Sequence, residues 1–121
     1  MKLKKIKEIL KGEILTGKSN LDKEVVAAFG CDLMSDVLAF VEEGTVLLTG
    51  LTNPQVIRTA EMIDVFAIIF VRDKTPSEEI LELAEDRGIT IITTAYTLYT
   101  ACGKLYEKGL DGLSIEEGIR N

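Results

Sequence analysis

Three short, largely apolar runs recur along this chain at intervals of about 22 residues, each followed by a stretch of helical spacing. Strands are expected over Thr45–Thr49, Phe66–Val71 and Ile89–Thr93, and helices over Pro54–Ile63, Pro76–Arg87 and Ala95–Lys108. The run Ala67-Ile68-Ile69-Phe70-Val71 does not alternate between apolar and polar residues. A strand of that kind is covered on both faces, which is the pattern of parallel sheets. Right-handed crossovers then lay the intervening helices against the sheet. The expectation is an α/β fold: a mainly parallel sheet of three successive β-α units with helices on both faces, preceded by an N-terminal helix and two short strands.

The first 44 residues are less regular. A helix is expected from Leu3 to Lys11, stopped by Gly12, then a strand at Glu13–Thr16 and turn chemistry at Gly17-Lys18-Ser19-Asn20. A second short strand is read over Glu24–Phe29 from its adjacent valines. These two strands are expected to pair as a hairpin or at a sheet edge. A helix follows from Met34 or Ser35 to Glu43, with Val37, Leu38 and Val41 on its apolar face and Gly44 as its stop. Cap signals support the later helices. Asn53-Pro54 places a good cap before a proline at the first helical position, Thr75-Pro76-Ser77-Glu78 fits a capping box, and Thr94 is a candidate cap for the last helix. Gly88 and Gly109 follow helices as stops.

At 121 residues the chain reads as a single domain, residues 1–121, large enough to bury a core without disulfides. The 46% hydrophobic content argues against extended disorder. No apolar run reaches the ~18 residues of a membrane span, and no signal-peptide pattern is present, so a cytoplasmic protein is expected. The net charge of −6 disfavours general nucleic-acid binding, which depends on Lys and Arg neutralising phosphates. Five lysines between Lys2 and Lys11 are the exception. They read as the solvated face of an amphipathic helix, with a membrane-surface or nucleic-acid role as the alternative.

The chain contains no histidine, which removes the commonest general base and metal ligand. Its two cysteines, Cys31 and Cys102, form no CxxC pair, and Cys102 reads as packing. No metal and no cofactor are expected. The acids Glu78, Glu79, Glu82, Glu85 and Asp86 read as a solvated helix face. Cys31, Asp32 and Asp36 are the one compact cluster that an enzyme reading could use, but Asp32 and Ser35 also read as helix caps.

In open parallel sheets, ligands collect beyond the carboxyl ends of the strands. Three loops are expected to meet there: Gly50-Leu51-Thr52-Asn53, Arg72-Asp73-Lys74-Thr75 and Thr93-Thr94-Ala95-Tyr96-Thr97. The first joins a buried strand to a helix start whose free N–H groups suit an anion. It lacks the lysine and second glycine of a nucleotide triphosphatase loop. The candidate ligand-binding residues are Thr49, Gly50, Thr52, Asn53, Thr93, Thr94 and Tyr96. Each has a plainer role open to it: Thr52, Asn53, Thr93 and Thr94 as strand ends and caps, Tyr96 and Tyr99 as core residues with wet hydroxyls, and Arg72 and Lys74 as solvated charges.

Three blocks, Gly30-Cys31-Asp32-Leu33-Met34-Ser35-Asp36-Val37-Leu38-Ala39, Leu48-Thr49-Gly50-Leu51-Thr52-Asn53-Pro54-Gln55 and Thr93-Thr94-Ala95-Tyr96-Thr97, together resemble a stand-alone DRTGG domain over nearly the whole chain. The resemblance implies an α/β fold related to the N-terminal domains of HPr kinase/phosphorylase and of Mur ligases. It also implies a regulatory, ligand-binding or oligomerisation module with no catalytic activity of its own, found beside CBS pairs or attached to metabolic enzymes. The eponymous residues differ. Gly50-Leu51-Thr52 stands where relatives have Gly-Asp-Arg, and Val71-Arg72-Asp73 where they have Thr-Gly-Gly. The expected function is a non-catalytic homodimeric regulatory module that takes a small anionic or nucleotide ligand at the strand ends. The alternative is an interaction module that docks on a partner enzyme or kinase without any ligand.

Overall fold

In a computed structural model, which describes residues 1–113, the chain forms a five-stranded sheet covered by helices on both faces. Its elements are α1 (Leu3–Ile9), β1 (Glu13–Thr16), a 3-10 turn at Lys18–Asn20, β2 (Ala27–Gly30), α2 (Met34–Phe40), β3 (Thr45–Thr49), α3 (Pro54–Met62), β4 (Ala67–Phe70), α4 (Glu78–Asp86), β5 (Thr90–Thr93) and α5 (Leu98–Glu107). The strand order is β1-β5-β4-β3-β2. Strands β2 to β5 pair in parallel and β1 runs antiparallel to β5. The two early strands therefore do not form a hairpin. They lie at opposite edges of the sheet, because a short half-polar strand takes its partner from the sheet rather than from its sequence neighbour.

The uninterrupted apolar strands are buried on both sides, as two-sided cover requires. Every residue of β3, β4 and β5 is buried. On one face Leu47, Ile68, Phe70 and Ile91 pack with Val37, Val56, Ile57 and Ala84 of α2, α3 and α4. On the other, Val46, Leu48, Ile69 and Ile92 pack with α1 and α5 through Leu3, Ile6, Ala101 and Leu105. Leu3, Ile6 and Leu10 are fully buried, so the apolar face of α1 is spent on the core and its lysines are left facing outward. That settles the first helix as a packed amphipathic helix.

Several boundaries move for identifiable reasons. Helix α1 ends at Ile9, and Lys11 rather than Gly12 takes positive φ (51°). What Gly12 supplies is space: a Cβ there would lie 2.5 Å from Ile92 Cγ2. Helix α2 stops at Phe40, because Val41 is already extended (φ −81°, ψ 140°) as it turns its side chain into the core. Neither Asp32 nor Ser35 caps it; Leu33 is the N-cap and offers no side-chain bond. Helix α4 begins at Glu78, with the Ser77 hydroxyl accepting from Ile80 N–H at 3.4 Å in place of a Thr75 cap. Helix α5 begins after Thr97, not after Thr94. Asn53 caps α3 as expected, its side-chain oxygen accepting from Gln55 N–H at 2.9 Å with Pro54 in the first turn.

A buried polar cluster fastens β1 to the rest. Thr16 Oγ1 donates to the Ile89 carbonyl (2.8 Å) and accepts from Ile91 N–H (3.0 Å) where the β1–β5 register shifts. Asn20 Nδ2 donates to the Gly88 carbonyl and to Thr90 Oγ1, both at 2.9 Å. Thr90 Oγ1 donates onward to the Gly17 carbonyl at 2.7 Å. Each of these buried groups has a partner, as burial demands.

Candidate functional site at the strand ends

The parallel strands all point their carboxyl ends the same way, so the loops after β2, β3, β4 and β5 gather along one side of the sheet. Two backbone bonds lace the loops after β4 and β5 together. Arg72 N–H donates to the Tyr96 carbonyl and Asp73 N–H to the Thr94 carbonyl, each at 2.8 Å. Arg72 and Asp73 both have positive φ (60° and 56°), and Lys74 N–H closes the turn on the Val71 carbonyl at 3.3 Å. Two successive left-handed residues in a turn ordinarily call for Gly or Asn, since a Cβ makes that region costly.

The Arg72 side chain reaches across to the loop after β3. A methyl group added to Gly50 would lie 3.0 Å from a guanidinium nitrogen of Arg72 and 3.6 Å from its Nε. Gly50 does not have positive φ. Its lack of a Cβ serves to admit Arg72 rather than to permit an unusual backbone.

The candidate ligand residues separate into two groups. Thr49 and Gly50 converge on Asp32. Asp32 Oδ1 accepts from Thr49 Oγ1 and from Gly50 N–H, both at 2.8 Å, while Thr49 Oγ1 also accepts from Leu51 N–H at 3.1 Å. A carboxylate of the chain itself thus sits on the first N–H of the turn. Thr49 is wholly buried, and Asn53 is engaged with Gln55. Thr52 is half-exposed beside them. In the second group, Thr94 is buried, and its hydroxyl donates to the Leu10 carbonyl at 2.7 Å and accepts from Tyr96 N–H at 3.3 Å. That hydroxyl ties α1 to the sheet instead of capping α5. Thr93 is buried as well. Tyr96 is half-buried, with Lys104 Nζ 5.0 Å from its ring centroid, whereas Tyr99 is 90% exposed and is no core residue.

Asp32 and Arg72 are the residues with most to say here that local sequence patterns leave unmarked. Asp32 acts across 17 residues of sequence, and its cap-like position before α2 hid that reach. The compact cluster of Cys31, Asp32 and Asp36 does not assemble: Cys31 Sγ lies near the backbone of Leu33, and Asp36 is half-buried in the first turn of α2. Among the described residues no three His, Cys, Asp or Glu side chains come together as a metal site, and no helix is long and apolar enough to cross a membrane.

Two grooves open elsewhere. One, of about 370 Å³, lies between β2 and α5; the other, of about 240 Å³, lies at the opposite end of the strands beside Lys23, Phe66 and Arg87. Arg87 in the second is already paired with Glu61 at 3.1 Å and with Asp86 at 2.6 Å.

The fold has a solved counterpart. With a TM-score of 0.69 and 23% identity, the chain is similar to a crystal structure of the CBS and DRTGG domains of the regulatory region of a Clostridium perfringens pyrophosphatase, in complex with its activator diadenosine tetraphosphate. The similarity covers 86% of this chain and 45% of that one, so the chain spans less than half the length of its counterpart. No curated protein matches the sequence. The match to the DRTGG domain extends over residues 5–107, from within α1 to the end of α5, and the chain belongs to the DRTGG domain family.

Proposed function

We propose that this chain is a non-catalytic regulatory module that binds a small anionic or nucleotide ligand at the carboxyl ends of the strands and works as a homodimer. The observation that carries the ligand reading is the Arg72 guanidinium held over Gly50 by a turn laced to the neighbouring loop. It sets a cation beside the start of α3, where the helix dipole also favours negative charge. Asp32 divides the site. Its carboxylate occupies the Gly50 N–H, so a phosphate belongs on the Thr52 and Arg72 side, and a ribose or other hydroxyl donor on the Asp32 side. Thr49, Thr93 and Thr94 then support the site from below, and Tyr96 lies at its margin. Membership of the DRTGG family, and the place of such a domain in the regulatory region of a pyrophosphatase, support a regulatory rather than catalytic reading. We assign the same module to the cytoplasm.

The test is a thermal-shift series with ATP, AMP and inorganic phosphate on the wild type and on Arg72→Ala and Thr52→Ala. A nucleotide-dependent rise in Tm that both variants reduce supports the reading. No shift at millimolar nucleotide overturns the ligand half.

Docking on a partner enzyme without any ligand is the second reading. Leu33, Leu38 and Phe40, exposed by 57%, 41% and 39% in and just before α2, favour it. It predicts that Leu38→Asp abolishes partner capture while the Tm stays within about a degree of wild type.

A further inference from the structure

Thr94 spends each of its polar groups on a different segment of the chain. Its N–H donates to the Phe70 carbonyl at the end of β4 (3.0 Å), and its carbonyl accepts from Asp73 N–H in the turn that follows (2.8 Å). Its hydroxyl donates to the Leu10 carbonyl where α1 ends (2.7 Å) and accepts from Tyr96 N–H in the loop before α5 (3.3 Å). The residue is 2% exposed, so water is no ready substitute for any of these bonds. The end of α1, β4, the turn after it and the loop before α5 therefore meet on one residue.

What this junction holds is the Arg72 turn. Arg72 and Asp73 both sit in left-handed backbone, a region that a Cβ makes costly. Two such residues in succession persist only where their surroundings over-determine them. The hold comes from their own N–H groups, which donate to the carbonyls of Tyr96 and Thr94. The Thr94 hydroxyl sets the first of those acceptors in place. By accepting from Tyr96 N–H it closes a threonine turn on the residue two further along, and so keeps Tyr96 within reach of Arg72. A hydroxyl has a single proton to give, and Thr94 gives it to Leu10, which leaves Oγ1 free to accept from Tyr96. Valine has nearly the shape of threonine and keeps the backbone bonds, but it offers neither hydroxyl bond. Serine keeps both.

We infer that Thr94 is a positioning residue for Arg72: its buried hydroxyl joins the end of α1 to the loop that holds the guanidinium over Gly50. This rests on the reading of Arg72 as the anion contact and adds what fixes its place. The test measures amide hydrogen exchange residue by residue, together with the ATP-dependent rise in Tm, on the wild type, Thr94→Val and Thr94→Ser. In Thr94→Val the Arg72 and Asp73 amides are expected to exchange at least tenfold faster than in the wild type, beyond any change shared by the amides of β3. The rise in Tm with ATP should fall to that of Arg72→Ala, and Thr94→Ser should restore both readouts. Arg72 and Asp73 amides that accelerate no more than those of β3 overturn the inference, whatever ATP does to Tm. The expected exchange pattern in a protein whose Tm does not respond to ATP overturns the anion reading instead, with Thr94 still the anchor of the turn. If Thr94→Val does not fold, Tyr96→Pro, which removes the N–H that the hydroxyl accepts, is compared with Tyr96→Ala, which keeps it. Faster Arg72 exchange in the proline variant alone supports the inference, and equal exchange in the two overturns it.

Discussion

Thr45 is 1% exposed at the start of β3, and its hydroxyl has no hydrogen-bond partner among the described residues. A buried hydroxyl without a partner costs roughly 1–3 kcal/mol, and valine has nearly the same shape without it. Thr45→Val is therefore expected to stabilise the fold by about 1–2 kcal/mol, read as a higher urea midpoint with unchanged slope. Cys102 is the other residue whose setting changes its chemistry. Burial pushes its thiol up, because the thiolate is poorly solvated beside Gly30 and the α5 core. The unfolded chain then loses this proton first as pH rises, so the group's contribution to stability is full below roughly pH 8.5 and declines above it. The urea midpoint of the wild type should fall more steeply between about pH 8 and pH 10 than that of Cys102→Ala. An equal slope in both would remove Cys102 from the account.

Among the elements, the turn after β4 holds the clearest local conflict. Arg72 and Asp73 take left-handed backbone without being glycine, at a cost of about 1–2 kcal/mol each, and two backbone bonds to the loop after β5 hold them there. Asp73→Gly should relieve part of that, raising stability by at most about 0.5 kcal/mol after the larger entropy loss of glycine is counted. Calorimetry checks the sign. Arg72→Gly should relieve the same strain yet remove the cation over Gly50, so the two substitutions separate backbone strain from ligand binding. Little local in Val71-Arg72-Asp73 announces this turn, since Asp tolerates left-handed backbone but Arg before it is no typical left-handed type. By contrast β3, β4 and β5 could be read directly, because full burial leaves an apolar run that few other structures produce. Asn53-Pro54 could be read because a cap and its first turn are contiguous. The partner of β1, the reach of Asp32 to Thr49 and Gly50, and the use of Thr94 by Leu10 could not be read. Each joins residues far apart in sequence, and the local chemistry of an Asp or a Thr is the same whether it caps a helix or ties two elements together. Site residues were legible as a neighbourhood, the strand ends, but not as a set of contacts.

For the molecule as a whole, charge is divided between the two faces of the sheet. The lysines of the α1 stretch lie on one side, and Glu78, Glu79, Glu82, Glu85 and Asp86 lie on α4 across the sheet. Lys4 pairs with Asp22 at 3.2 Å and Arg87 with Glu61 at 3.1 Å, but α4 as a body remains acidic. Like charges along one helix repel over distances near the Debye length, about 10 Å at 0.1 M salt. Raising the salt from 10 mM to 200 mM should raise Tm by a few degrees, and Glu82→Lys should reduce that dependence. A salt-independent Tm would show that the acids of α4 do not strain the fold.

The strand order carries a further consequence, one of timing. β1 leaves a ribosome well before β5, which ends at Thr93 and is its partner in the sheet among the described residues. Until β5 is out, β1 lacks that partner, and the hydroxyl of Thr16 and the amide of Asn20 wait for the backbone of residues 88 to 91. Closure over that separation is a slow, late event with the cost of a long loop. Weakening the β1–β5 seam should therefore speed unfolding far more than it slows refolding. The half-made chain, meanwhile, exposes one open edge that its finished form conceals.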